Sequence, residues 1–136
     1  MKFTNLQIQY LWNWLNVPLH GPESRNRNKF VAIIDKQYKD SLEGRTDILA
    51  KFADKDPKTK KAIIENGVYK MADDVLEKAK KEMGKFLEGE VEYKLTKIEK
   101  GYVKSVTKTL NDSKASHDIE TGKIYDQIME ILEAVK

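Results

Sequence analysis

Cysteine is absent from these 136 residues, proline and arginine occur only three times each, and the sequence never runs to the roughly 18 consecutive apolar residues of a membrane span. Each shortage excludes something. Without cysteine there is no disulfide, thiolate nucleophile or thiolate zinc site, so stability has to come from packing, as in a reducing compartment. The opening "MKFTNLQIQYLWNWL" is interrupted by Asn and Gln where a secretory signal would have its apolar stretch. The expectation is a soluble protein that stays inside the cell that makes it, with no membrane partner. No glycine pattern matches a phosphate loop or a dinucleotide fingerprint. The two histidines, His20 and His117, fall in predicted loops beside helix starts, with no serine or carboxylate arranged for acyl transfer, and read as surface residues. The chain therefore reads as no enzyme, with no cofactor and no metal. A hydrolase built from scattered carboxylates is the least favoured alternative.

What is present is charge of both signs. Twenty-five Lys plus Arg stand against 22 Asp plus Glu, a net charge of +3, interleaved along most of the chain as on a solvated surface. A pI near 8.9 permits nucleic-acid binding, but phosphate tracking needs that charge gathered on one face. The length suits one compact domain over residues 1–136.

The apolar spacing then gives a plan. Thr4 is placed to cap a first helix carrying Leu6, Tyr10, Leu11, Trp14 and Leu15, which should stop before Pro18. "PLHGPES" breaks the helix, and Ser24 is read as the N-cap of the next, from about Arg25 to Ala53. Its stripe is Phe30, Ile34, Tyr38, Leu42, Leu49 and Phe52, with Gly44 as a candidate bend. Asn66-Gly67 favours a type I′ turn, so residues 62–71 read as a β-hairpin. Asp73 or Asp74 should cap a third helix that presents Val75, Leu76, Ala79, Met83, Phe86 and Leu87 and ends at Gly89. Val91, Tyr93 and Leu95 alternate with polar neighbours, so 91–96 reads as a half-buried strand that completes a three-stranded sheet with the hairpin. Residues 102–110 fit helix or strand, with helix preferred. Ser116 or Asp118 should cap a last helix with Ile124, Ile128, Ile131, Leu132 and Val135 inside. The fold class is α+β, mostly α: about five helices and a small antiparallel β-sheet.

Candidate sites are few. In "DKDPKTKKAIIE", Asp54, Asp56 and Glu65 match the first, third and twelfth positions of a calcium loop. However, Lys58 stands where an oxygen ligand belongs and Thr59 replaces the turn glycine, which favours a solvated connector. Glu120, Asp126, Glu130 and Glu133 spread around the last helix as a solvated face. Trp12 and Trp14 lie about 200° apart on a helix, so one should enter the core; the other is a candidate partner contact, against the favoured reading of a helix covered on two sides. Two of the three arginines crowd into "HGPESRNRNKF". On a helix begun by Ser24, Arg25 and Lys29 are i,i+4 neighbours while Arg27 points about 160° away from Arg25. Cations there oppose the helix dipole, so a partner should offset them. The structural reading, a guanidinium bound to an internal carboxylate or a helix C-terminus, outweighs the functional one, an external anion held by Ser24, Arg25, Arg27 and Lys29.

The stretch "LQIQYLWNWLNVPLHGPESRNRNKFV" resembles a family of small, functionally uncharacterised proteins from tailed phages and prophages of Gram-positive bacteria, in its opening helix, its glycine and its Ser-Arg-x-Arg start of a long charged helix. "ILAKFADKD", "ENGVYKM" and the Tyr-Asp helix "KIYDQIMEIL" are similar too, whereas Lys97 to Ser116 departs from the pattern. The resemblance implies a phage-encoded protein without enzymatic activity, supplies no catalytic residues, and favours a fold role for Ser24, Arg25 and Arg27. The leading expectation is a protein that binds a phage or host protein, in virion assembly or in blocking a host factor. The alternative is a nucleic-acid-associated protein that sets Arg25, Arg27, Lys29 and the lysines of "DKDPKTKK" against phosphate.

Overall fold

The structure, a computed structural model, describes every residue from Met1 to Lys136. The chain runs β1 (Lys2–Thr4), α1 (Asn5–Leu15), α2 (Gly21–Phe52), β2 (Ile64–Glu65), β3 (Val68–Tyr69), α3 (Asp73–Glu88), β4 (Glu90–Glu92), α4 (Lys97–Asn111) and α5 (Ile119–Glu133). It is α+β and mostly α.

Local chemistry accounts for most of the boundaries. Thr4 caps α1 through a capping box: its hydroxyl accepts from Gln7 N at 3.1 Å while Gln7 Oε1 accepts from Thr4 N at 2.9 Å. Thr96 and Glu99 repeat the device at the start of α4, so residues 102–110 are helical. Asp118, not Ser116, caps α5, accepting from Thr121 N at 2.8 Å. The β2–β3 turn places Asn66 at φ 53 and Gly67 at φ 76, the left-handed geometry that this dipeptide tolerates.

Several boundaries differ from the expectation. The second helix starts at Gly21 with His20 at the N-cap, so Ser24 lies inside its first turn rather than capping it. A proline breaks a helix interior but suits its first turn, where its missing N–H has no partner to lose, and Pro22 sits there. Ala72 is the N-cap of α3 and makes no side-chain cap bond; Asp73 and Asp74 occupy the first turn, beside the positive end of the dipole. The three-stranded sheet does not form. There are two separate antiparallel pairs, β2 with β3 and β1 with β4, the latter in register Lys2 to Glu92, Phe3 to Val91 and Thr4 to Glu90. The cause lies at the start of α1, where Asn5 N donates to Gly89 O at 2.8 Å and Asn5 Nδ2 to Phe86 O at 2.8 Å, holding the end of α3 against β1. The strand is also shorter than 91–96: Tyr93 still exchanges backbone hydrogen bonds with Met1, but its side chain and that of Leu95 pack against the core, while Val91 stays exposed.

The core gathers Phe3, Ile8, Leu11, Leu15, Phe30, Ile34, Val103, Val106, Leu110, Ile128, Met129 and Leu132, from β1, α1, α2, α4 and α5. The helix α2 runs unbroken through Gly44, and its inner stripe changes character along the way. Phe30 and Ile34 are buried, but so are Gln37 and Ser41, while Leu42 is exposed. Gln37 is a polar hub: its Nε2 donates to Phe3 O at 2.9 Å and to Asn5 Oδ1 at 3.2 Å, and its Oε1 accepts from Tyr93 Oη at 2.6 Å. A buried amide with all its partners met ties α2 to β1 and to the segment after β4.

Burial pushes the Tyr93 hydroxyl up to about 12, against roughly 10 for an exposed tyrosine. The folded chain therefore keeps this proton where the unfolded chain has released it. The stability it contributes is complete below pH ~10 and is lost as pH rises through about 12. Tyr93→Phe should flatten this alkaline slope in urea unfolding, leaving the part due to Tyr125, whose hydroxyl is also raised by burial. At neutral pH the same variant should cost about 1 kcal/mol, because Gln37 Oε1 loses its donor.

Candidate functional site

Helix α1 ends at Leu15, and its last carbonyls have no turn beyond them to bond. Arg27, in the second turn of α2, meets them. Its Nη1 lies 2.6 Å from Leu15 O and 2.6 Å from Val17 O, and its Nε donates to Asn28 Oδ1 at 2.8 Å. A cation at the negative end of α1 is favourable, which offsets its poor placement near the positive end of α2. Arg25 and Lys29 point to solvent and take part in no hydrogen bond or ion pair with the protein. Ser24 is half-buried with no side-chain hydrogen bond. The four residues that sequence reading grouped therefore separate: Arg27 holds the fold, and Arg25 and Lys29 remain free.

Neither tryptophan is fully in the core; both are half-buried against its edge. The Trp12 indole lies flat on Tyr38, with ring centroids 4.2 Å apart and planes 6° from parallel. It also borders a cleft of about 330 Å³ lined by Trp12, Leu15, Asn16, Arg27, Asn28 and Val31. Trp14 is enclosed by Tyr10 at 5.6 Å, His117 at 5.1 Å and Tyr125 at 5.6 Å, and His117 in turn stacks on Tyr125 at 5.0 Å. Tyr125 Oη donates to Leu110 O at 2.9 Å, so this cluster fastens α1 and α5 to the end of α4. His117 is thus half-buried in an aromatic cluster, not the surface residue its loop position suggested.

The connector after α2 is organised by Asp56, whose carboxylate accepts from Lys58 N at 2.8 Å and Thr59 N at 3.1 Å. Those N–H groups, Thr59 first, hold its pKa below the usual carboxylate value. Lys58, Lys60 and Lys61 stay exposed around it. Elsewhere, the hydrogen bonds that Lys36 and Lys39 donate to Asp40 and Asp35 raise the two lysines, and the Thr121 backbone N–H lowers Asp118. All of these shifts, with those of the two tyrosines, move away from neutrality.

The cleft brings together Trp12 and Arg27, two residues that composition singled out, with Asn16, Asn28 and Val31, which it did not. Asn28 and Val31 lie one and four positions after Arg27 on α2, but nothing in the sequence said that α1 would end opposite them. Comparison of the chain with protein-family models, with curated proteins and with solved structures gives no match.

Proposed function

We propose that this protein works without catalysis, by binding another protein whose contact residue enters the cleft between Trp12 and Arg27. One observation carries the reading: a half-buried indole is stacked flat on Tyr38, beside a guanidinium held in place by three hydrogen bonds to the protein. Trp, Tyr and Arg dominate interface energetics, and side chains already held in place lose little entropy on binding. With the sequence resemblance, the setting is a phage-encoded protein acting in virion assembly or in the inhibition of a host factor.

Asn16→Tyr tests this. Asn16 is exposed at the mouth of the cleft, and only its backbone N–H takes part in the α1 cap. The tyrosine should leave stability within about 0.5 kcal/mol and weaken binding of a purified partner at least ~10-fold, or about 1.4 kcal/mol. Unchanged affinity in this variant rejects the cleft as the contact.

The nucleic-acid alternative rests on Arg25 and Lys29, exposed, unpaired and four residues apart on α2. Fluorescence anisotropy with mixed DNA and RNA oligonucleotides distinguishes it, since binding through them must fall steeply with salt and be lost in Arg25→Ala/Lys29→Ala.

A further inference from the structure

Arg45, the third arginine, has surroundings unlike those of the other two. From the second half of α2 it reaches α1, where its Nη1 donates to Gln9 Oε1 at 2.8 Å. Its acceptor is a neutral amide, and no carboxylate forms an ion pair with it. Gln9 is 7% exposed, and its Nε2 is shut off from solvent with no hydrogen-bond partner. The amide cannot simply be reversed. Arginine only donates, so the oxygen has to face Arg45 and the orphaned N–H groups have to face elsewhere. Native folds rarely leave a buried donor open, and one that stays open calls for a missing acceptor.

Gln9 and Arg45 both line an open pocket, and Arg45 is itself exposed there. A cavity of about 390 Å³ lies between α1, α2 and α3, lined by Leu6, Gln9, Tyr10, Asn13, Arg45 and Leu87. Two leucines form apolar walls, while the Tyr10 hydroxyl and the Asn13 amide add polar groups that make no hydrogen bond of their own. A concave pocket of this size with a few convergent polar groups is the usual form of a small-ligand site. Leu6, Gln9, Tyr10 and Asn13 form one face of α1, about 100° around the helix from Trp12, so this site is separate from the cleft proposed for the protein partner.

We infer that this cavity binds a carboxylate. The guanidinium presents a planar fork of donors that fits two carboxylate oxygens, and a single cation among neutral donors suits a single negative charge better than a phosphate dianion. The carboxylate replaces Gln9 Oε1 as the acceptor for Arg45. The freed amide turns about its terminal torsion, which has a broad profile, and gives its N–H groups to the second oxygen. The source is a small free organic acid or a carboxylate borne on a peptide.

Nitrogen-15 NMR of the side-chain amides and arginine Nε–H groups tests this on the intact chain, with sodium acetate titrated against sodium chloride at matched ionic strength. Acetate should shift the Gln9 amide and Arg45 Nε–H signals saturably where chloride does not. Arg45→Gln should weaken that response at least ~10-fold while leaving the backbone spectrum superimposable. A short peptide with a free C-terminal carboxylate that binds tighter than acetate, and loses binding when amidated, assigns the site to a protein ligand. Acetate binding with no gain from the peptide assigns it to a small acid. Identical responses to acetate and chloride overturn the inference, as does a Gln9 amide in contact with an ordered water alone and indifferent to acetate.

Discussion

Arg27→Ala should lower the free energy of unfolding by about 2–3 kcal/mol, whereas Arg25→Ala, two residues away, should change it by less than about 0.5 kcal/mol. The difference follows from what each guanidinium touches. Arg27 donates to the carbonyls of Leu15 and Val17, and Leu15 is fully buried, so removing the donor strands an acceptor at the end of α1. Hydrogen bonds to charged groups contribute more than neutral ones, and the negative end of the α1 dipole adds to the loss. Arg27 also lines the cleft and is half-buried, so truncation removes packing as well as charge. Arg27→Lys should recover roughly half, because one ammonium can reach a carbonyl but does not reproduce a fork that also donates to Asn28. Urea unfolding of the three variants reads this directly, and an Arg25→Ala loss equal to that of Arg27→Ala would reject the anchoring role.

Gly44→Ala should destabilise the protein by about 1–2 kcal/mol, against the sign that helix propensity alone predicts. Within a helix, alanine ordinarily gains about 1 kcal/mol over glycine. A Cβ at position 44, however, falls inside the contact distance of Phe86 Cζ and 2.5 Å from its Cε2, because the Phe86 ring of α3 lies end-on against the α2 backbone. Either the ring swings out toward solvent or α3 moves away, and both give up contact between the helices. Gly84, in the interior of α3, is the internal control: a Cβ there meets nothing within 4 Å, so Gly84→Ala should stabilise by up to about 1 kcal/mol. Opposite signs for two glycines in two helices would be the signature, and a gain in both would show that Phe86 yields freely.

Elements fixed by neighbouring residues were legible in the sequence, and those fixed by distant ones were not. Thr4 as a cap, the Asn66-Gly67 turn, the apolar stripe of α5 and the helix break before Pro18 all depend on residues a few positions apart. The partner of β4 does not. Alternation identified Val91 as strand-forming, but β1 is only three residues long and offers no periodicity of its own, so the pairing with Phe3 had no signal. Gln37 and Ser41 fall in the inner stripe of α2, where periodicity looks for apolar residues; the partners that make Gln37 tolerable, Phe3 and Tyr93, lie 34 and 56 residues away. At the candidate site, reading Arg27 as a bound guanidinium named a helix C-terminus as one acceptor type, and the structure supplies that of α1. The cleft beside it and the contact between Arg45 and Gln9 arise only when α2 folds back along α1.

The pairing of β1 with β4 closes the chain around everything between residues 5 and 89, and it divides the molecule by the order in which its parts come loose. The helix α3 and the β2–β3 hairpin contribute nothing to the central buried cluster. They are held through Phe86 against Gly44, the Lys51–Glu82 ion pair at 3.0 Å, and Asn5 against Phe86 and Gly89. Such a segment opens at a lower free energy than the whole, as a local excursion pinned at both ends. Its amides should exchange with solvent through that excursion, and those in the inner turns of α1, α4 and α5 only on global unfolding, an order that native-state hydrogen exchange reads directly.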